Sequence, residues 1–103
     1  MTYRVVFAPE ADAQLIALYN YVASKASPDT ARRFTDSIID HCEGFKTFPR
    51  RGTRRDDIHE GLRIVGYRKR VTIAFTLEKR TVTISGIFYG GQDYQRTLAE
   101  RLT

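Results

Sequence analysis

A run of alternating apolar and polar side chains in the second half of the chain most constrains the fold. Between residues 71 and 77 every second position is apolar, as Val71, Ile73, Phe75 and Leu77. A period of two is typical of a strand that buries one face. The pattern pauses at residues 78–80, resumes over 81–89 and slips at Gly86, as it would at a β-bulge. This stretch predicts two strands joined by a tight turn.

Two upstream segments have helical spacing instead. The first follows a short strand pattern at residues 3–7, begins at Pro9 and is expected to end near Lys25. The second has a strong start signal in Ser27-Pro28, a capping hydroxyl followed by proline at the first helical position. Pro49 is expected to end it. The apolar stripes of the two helices are Leu15, Leu18, Tyr19 and Val22, then Ala31, Phe34, Ile38, Cys42 and Phe45.

The order of these elements predicts an α+β fold with two layers. An N-terminal strand and an antiparallel helix hairpin precede a three-stranded antiparallel sheet, giving the order β-α-α-β-β-β. Residues 62–67 form the first strand of that sheet, and residues 93–102 have the pattern of a short C-terminal helix. One sheet face should meet the helices, and the other is expected to stay partly open and to carry Arg and Tyr. The strand residues expected to face the helices are Val5, Phe7, Ile73, Phe75 and Ile84.

Length and composition favour one domain spanning residues 1–103, because 103 residues that are 42% hydrophobic suffice for a single core. The start Met1-Thr2-Tyr3-Arg4 shows no signal peptide, and no apolar run approaches the length of a membrane span. Cys42 is the only cysteine, which excludes an intrachain disulfide and fits a reducing compartment. We therefore expect a cytoplasmic protein without membrane contact.

Positive charge is concentrated in one segment. The net charge is +5, and residues 50–70 carry eight basic and three acidic side chains, which accounts for the whole excess. Thirteen of the 17 basic residues are Arg. Arginine forms two-pronged contacts with carboxylate and phosphate groups. The segment therefore predicts an acidic partner, which is a nucleic acid, an acidic protein segment or both.

Short motifs follow one another in order along almost the whole chain. They are Ala8-Pro9-Glu10-Ala11, Ser27-Pro28 with Ala31 and Phe34, Phe48-Pro49-Arg50-Arg51-Gly52, Arg55-Asp56-Asp57-Ile58, Gly61-Leu62-Arg63, residues 67–75, and Ile87 to Tyr94. Their order and spacing resemble the RelE/ParE superfamily of toxins from type II toxin–antitoxin systems. The motifs at 55–58 and 61–63 are more similar to the ParE branch than to the RelE branch.

This resemblance implies a toxin that arrests the growth of its own cell. A ParD-like antitoxin encoded beside it would neutralise it with an acidic or amphipathic segment, and operator DNA would be bound only through that antitoxin. The implied target is DNA gyrase for the ParE branch or ribosome-bound mRNA for the RelE branch. We favour gyrase, because a gyrase poison needs surface complementarity and no proton transfer. Neither a cofactor nor a metal is expected.

The RelE-like alternative is a metal-independent endoribonuclease. Arg70 stands where the nucleases of this superfamily keep a strand arginine, and Tyr89 lies near the position of a functional tyrosine. No histidine precedes Tyr89, and arginine cannot act as a general base. Acidic side chains at 56, 57 and 60 are candidate bases, although nothing in the sequence positions them. Arg70 and Tyr89 are therefore the candidate catalytic residues only if the protein is a nuclease.

A third alternative is a plain nucleic-acid-binding module in which residues 50–70 contact phosphates. Arg70 could equally be solvated or paired with Glu78 or Asp57. His41 and His59 lack metal-ligand spacing. The candidate contacts to a target or an antitoxin, chosen by charge and by motif position, are Arg50, Arg51, Arg54, Arg55, Arg63, Arg68, Arg70, Tyr89 and Tyr94.

Overall fold

The structure is a computed structural model that describes residues 2–102. Its elements in chain order are β1 (Arg4–Phe7), α1 (Pro9–Lys25), α2 (Pro28–Glu43), a 3-10 turn (Gly44–Lys46), β2 (Thr53–Arg54), β3 (Leu62–Tyr67), β4 (Val71–Glu78), β5 (Thr81–Tyr89) and α3 (Tyr94–Leu102). The predicted α+β order and the C-terminal helix are confirmed. The short strand β2 is an addition that the apolar pattern did not indicate.

The helix hairpin begins and turns as predicted. Ser27 caps α2, since its Oγ accepts a hydrogen bond from the backbone N–H of Thr30 (3.1 Å) and Pro28 follows at the first helical position. The predicted end at Pro49 is wrong, because α2 stops at Glu43 and the chain tightens into the 3-10 turn. Glycine at position 44 weakens the helix there. The tighter turn brings Phe45 into the core.

All five strands form one sheet in the order β1-β5-β4-β3-β2. The neighbours are antiparallel except for β1, which runs parallel to β5 and pairs with residues 81–84. On β4, Ala74 pairs with Gly86 while Phe75 pairs with Ile84, so Ser85 is an extra residue on β5. This β-bulge confirms the slip expected at Gly86.

The helices cover one face of the sheet, and the predicted core is confirmed. Of the residues assigned to this interface, all except Tyr19 and Ala31 belong to one buried cluster or pack against it. Ala31 is fully buried, and Tyr19 is half-buried. Phe45 lies fully buried with its ring centroid 4.6 Å from that of Phe75. Cys42 is also fully buried, and this burial raises the pKa of its thiol to about 12. It is therefore a core residue with no accessible thiolate.

The opposite sheet face is partly covered. Leu98 of α3 packs there with Leu62, Ala74 and Phe88 in a second buried cluster. A tyrosine of this face, Tyr94, packs against that cluster and accepts a hydrogen bond from Arg55. Tyr89 of β5 is turned toward the helices by the extra residue at the bulge. Within residues 2–102, no helix has the length and apolar character needed to cross a membrane.

Candidate partner-binding groove

A groove runs between α1 and the last part of β5. Strand β1 ends at Phe7, opposite Ile84, so the outer edge of β5 beyond the bulge has no strand partner within residues 2–102. Helix α1 carries no charged side chain between Asp12 and Lys25, and its Tyr21 is half exposed. The groove has a volume of about 280 Å³ and is lined by Gln14, Ala17, Leu18, Tyr21, Ile87, Tyr89 and Gln92.

Side chains from α1, from α3 and from the turn after β5 form hydrogen bonds with the strand edge that is one wall of this groove. The backbone N–H of Ile87 donates to Oε1 of Gln14 (2.8 Å), and that of Tyr89 donates to Oε1 of Gln92 (2.7 Å). The carbonyl of Ser85 accepts a hydrogen bond from Arg101 of α3 (2.8 Å). An uncapped edge would attract another strand. Because this edge is capped, the groove favours an apolar helical face over an added strand.

A basic cleft continues the groove at the end of the helix hairpin. It has a volume of about 500 Å³ and is lined by Val22, Thr30, Arg33, Phe34, Arg68 and Tyr89. Tyr89 lines both cavities. Its ring centroid lies 5.9 Å from that of Tyr21 and 6.1 Å from that of Phe34. The groove and the cleft therefore form one track, apolar along α1 and cationic at Arg33 and Arg68.

The turn between β3 and β4 carries three consecutive basic side chains beside this cleft. Its central residues Arg68 and Lys69 have φ angles of 52° and 65°, a region that favours glycine or asparagine. The carbonyl of Arg70 accepts a hydrogen bond from the backbone N–H of Gly90 (2.8 Å). Among residues 2–102, none of the three cations forms an ion pair. The pairing of Arg70 with Glu78 or with Asp57 that the sequence suggested is therefore not formed.

Two arginines of the basic segment are neutralised by neighbouring carboxylates. Arg54 pairs with Asp56 at 2.8 Å, and Arg55 makes a two-pronged contact with Asp57 at 3.0 and 2.9 Å. Arg55 also donates to the hydroxyl of Tyr94 (3.2 Å), which ties the loop to α3. Two of the predicted contact residues, Arg55 and Tyr94, thus lie together in a structural linkage away from the groove.

The contacts of this loop also change the pKa values of Asp56 and Asp57, two of the candidate general bases. The backbone N–H of Gly61 and the nearby Arg54 hold the pKa of Asp56 below its usual value. The hydrogen bond from Arg55 does the same for the pKa of Asp57. A carboxylate that is stabilised in its ionised form and occupied by a guanidinium is a weak general base.

The remaining arginines of the segment lie on the β2 side of the sheet, away from the groove on the β5 side. The guanidinium of Arg51 lies over the buried ring of Phe45, with 5.4 Å between its central carbon and the ring centroid. Arg63 donates to the carbonyl oxygen of Arg51 at 3.4 Å, and Arg50 is exposed. The nine predicted contact residues therefore divide among three places. Only Arg68 and Tyr89 line the track, and Arg70 lies in the turn next to it.

Sequence reasoning missed several track residues. The uncharged stretch of α1 was a signal in the sequence for the apolar half of the track. Residues 33, 34 and 92 had no such signal, because they meet at the track only when distant parts of the chain pack together. The missed residues are Gln14, Ala17, Tyr21, Arg33, Phe34, Ile87 and Gln92.

The histidine of α2 belongs to the core region and not to the track. The ring of His41 stacks on Tyr67 with 4.5 Å between centroids, and its buried Nε2 has no hydrogen-bond partner in the described part of the chain. Burial, and then the charge of Arg51, lower the pKa of His41. No group of three His, Cys, Asp or Glu side chains within residues 2–102 is placed to hold a metal ion.

Comparison with known proteins agrees with this architecture. The family model of the ParE toxin of the type II toxin–antitoxin system parDE matches residues 5–94. The protein is thus a toxin of a type II toxin–antitoxin system. A chain of the chromosomal ParDE system from P. aeruginosa has a similar fold, with a TM-score of 0.75 and 17% identity over 86% of this chain and 97% of that chain. The chain belongs to the ParE toxin family. A search of curated proteins found no match.

Proposed function

We propose that this ParE-family toxin acts in the cytoplasm by poisoning DNA gyrase and is neutralised by a ParD-like antitoxin. The observation that carries the proposal is the place of Tyr89, which lines both the apolar groove and the basic cleft. One partner segment with an apolar face followed by acidic side chains fits both at once. The free cations at the adjacent turn extend the same surface.

The antitoxin is proposed to lay an amphipathic helix along α1. The wall of the groove is uncharged from residue 13 to residue 24, and the strand edge beside it is already hydrogen-bonded. A helix can therefore bury apolar side chains there without leaving backbone groups unsatisfied. Acidic residues beyond its end would meet Arg33 and Arg68, which supplies charge complementarity and register.

The gyrase proposal uses the same end of the molecule. Arg70 and Tyr89 have no hydrogen-bonded carboxylate or imidazole in the described part of the chain, so their chemistry supports binding contacts better than proton transfer. The left-handed residues 68 and 69 hold three cations outward at some conformational cost. If antitoxin and gyrase share Tyr89 and this turn, occupation of the track by the antitoxin blocks the target.

The direct test is an assay of DNA supercoiling by gyrase with purified toxin. The toxin should inhibit supercoiling or trap cleaved DNA, and Arg70→Glu should reduce this effect by at least tenfold. Arg32→Glu is the matched control, because Arg32 is exposed on α2 and pairs with Asp29. Ribosome-dependent cuts in mRNA that are lost in Tyr89→Phe, with gyrase unaffected, would establish the ribonuclease instead.

The antitoxin is tested separately by titration of the toxin with the product of the neighbouring reading frame. Arg68→Glu should weaken the complex about tenfold or more, since it reverses a charge in the basic cleft. Arg54→Glu is the comparison, because Arg54 lies on the β2 side and is paired with Asp56. Equal losses in both variants would mean that net charge, and not the cleft, sets the affinity. Operator DNA should be bound specifically by the complex and not by the toxin alone.

A further inference from the structure

A second surface lies where the chain runs from the 3-10 turn to β2 and onto the neighbouring β3, and the track does not use it. It consists of Phe48, Arg50, Arg51 and Arg63, and we call it the Phe48 surface. We propose that the Phe48 surface binds single-stranded nucleic acid, with phosphates on the arginines and one unstacked base against Phe48. This inference does not depend on gyrase or on the antitoxin.

The arginines of the Phe48 surface have no ion-pair partner within residues 2–102, in contrast to those of the neighbouring loop. Arg54 and Arg55 are occupied by Asp56 and Asp57. A cation without a carboxylate partner can neutralise a phosphate without first breaking an ion pair.

Two of the guanidinium groups are also held in place. Arg51 lies over the ring of Phe45, and Arg63 hydrogen-bonds to the carbonyl oxygen of Arg51. Gly52 then follows with a φ of 78°, and a Cβ at this position would overlap the carbonyl oxygen of Ile64. The loop therefore lies tightly against β3. Side chains fixed before binding lose less conformational entropy when a ligand arrives.

The exposed ring of Phe48 is the feature that favours single-stranded nucleic acid over other acidic ligands. Its side chain is 70% exposed, and it makes no ring contact in the described part of the chain. An exposed aromatic ring in the same short segment as exposed arginines without ion-pair partners is a combination that binds single strands, because each unpaired base offers a flat face for stacking. A duplex hides these faces, and an acidic peptide offers carboxylates without them. Single-stranded nucleic acid satisfies both parts of the surface.

The test uses the purified full-length toxin and fluorescent oligonucleotides of about 12 nucleotides, a length within the usual range for one small domain. Fluorescence anisotropy is measured at several salt concentrations. Single strands of DNA and of RNA form separate arms, which distinguish the two sources of the same phosphodiester chemistry. Phe48→Ala should weaken binding about tenfold, the scale of one base–aromatic stack. The logarithm of the association constant falls linearly with the logarithm of the salt concentration, and Arg50→Ala should make this slope shallower by about 0.7. That is the contribution of one phosphate contact in a single strand.

Arg32→Ala is the charge-matched control and should bind like the wild type apart from a small uniform loss. Arg50 is exposed and its side chain forms no ion pair within residues 2–102, so Arg50→Ala keeps the test interpretable if an Arg51 variant unfolds. Equal losses in Arg32→Ala and Arg50→Ala, or no effect of Phe48→Ala, would overturn the proposal. Equal competition by polyglutamate, or duplex DNA that binds as tightly with the same dependence on Phe48, would also overturn it. Gyrase inhibition is measured independently, so the two proposals can fail separately.

Discussion

Replacement of Tyr89 is the sharpest test of the composite track. Its ring contacts Tyr21 and Phe34 at centroid distances of 5.9 and 6.1 Å. Each such aromatic pair contributes about 0.5–1.5 kcal/mol, so Tyr89→Ala should lower the free energy of unfolding by about 2 kcal/mol. A truncation at the centre of an interface costs about 2 kcal/mol or more of binding, which predicts a loss of antitoxin affinity of about 30-fold.

Tyr89→Phe separates this effect from any role of the hydroxyl. It keeps both ring contacts, so its stability and its antitoxin affinity should lie within about 0.5 kcal/mol of the wild type. Urea unfolding gives the stability and isothermal titration gives the affinity, both measured under conditions in which the alanine variant is folded. If Tyr89→Ala binds the antitoxin within about threefold of the wild type, the track is not the antitoxin site and the reasoning from shared lining residues is wrong.

Three further predictions concern stability and reactivity. Gly52→Ala should lower the free energy of unfolding by about 2 kcal/mol or more, because the φ of Gly52 is positive and an added Cβ would overlap Ile64. The loss should be seen as a lower melting temperature. At Gly66 an added Cβ meets nothing within 4 Å, so Gly66→Ala should change the free energy of unfolding by less than about 1 kcal/mol. The pKa of His41 is lowered in the folded protein, so the unfolded chain binds a proton at His41 more readily than the folded chain does. The urea concentration at the unfolding midpoint should therefore fall as the pH drops from 6.5 toward the folded pKa. His41→Gln should make this decrease smaller. Cys42 should resist a maleimide at pH 8 in the native protein and react in denaturant, since its pKa is about 12 and it is fully buried. Rapid native labelling would show that α2 opens.

The elements with strong local signals could be predicted from the sequence. The cap at Ser27, the start at Pro28 and the alternation over 71–77 depend on side chains within a few residues of each other. Strand β2 could not be predicted, because its two residues are polar and exposed and pair only through the backbone with β3. The position of β1 beside β5 also had no local signal, since a parallel pairing across most of the chain is decided by the packed sheet.

The candidate site could be predicted only in part, for a related reason. Charge and motif position pointed to the arginines of residues 50–70, but they could not tell which cations are occupied. Arg55 and Asp57 are two positions apart, and their pairing requires the loop to fold back in one particular way. The apolar half of the track depends on Gln14 of α1 meeting Ile87 of β5, a contact that no short pattern contains.

The β-bulge at Ser85 joins the fold to the proposed function. Continued alternation from Ile84 would turn residues 86 and 88 toward the helices and Tyr89 toward the opposite face. The extra residue reverses this, so Ile87 and Tyr89 face α1 while Phe88 supports α3. Strand β1 ends at the same point, which leaves the edge of β5 available to Gln14 and Gln92. The end of β1 therefore opens the groove, and the inserted residue places in it the tyrosine that connects the groove to the basic cleft.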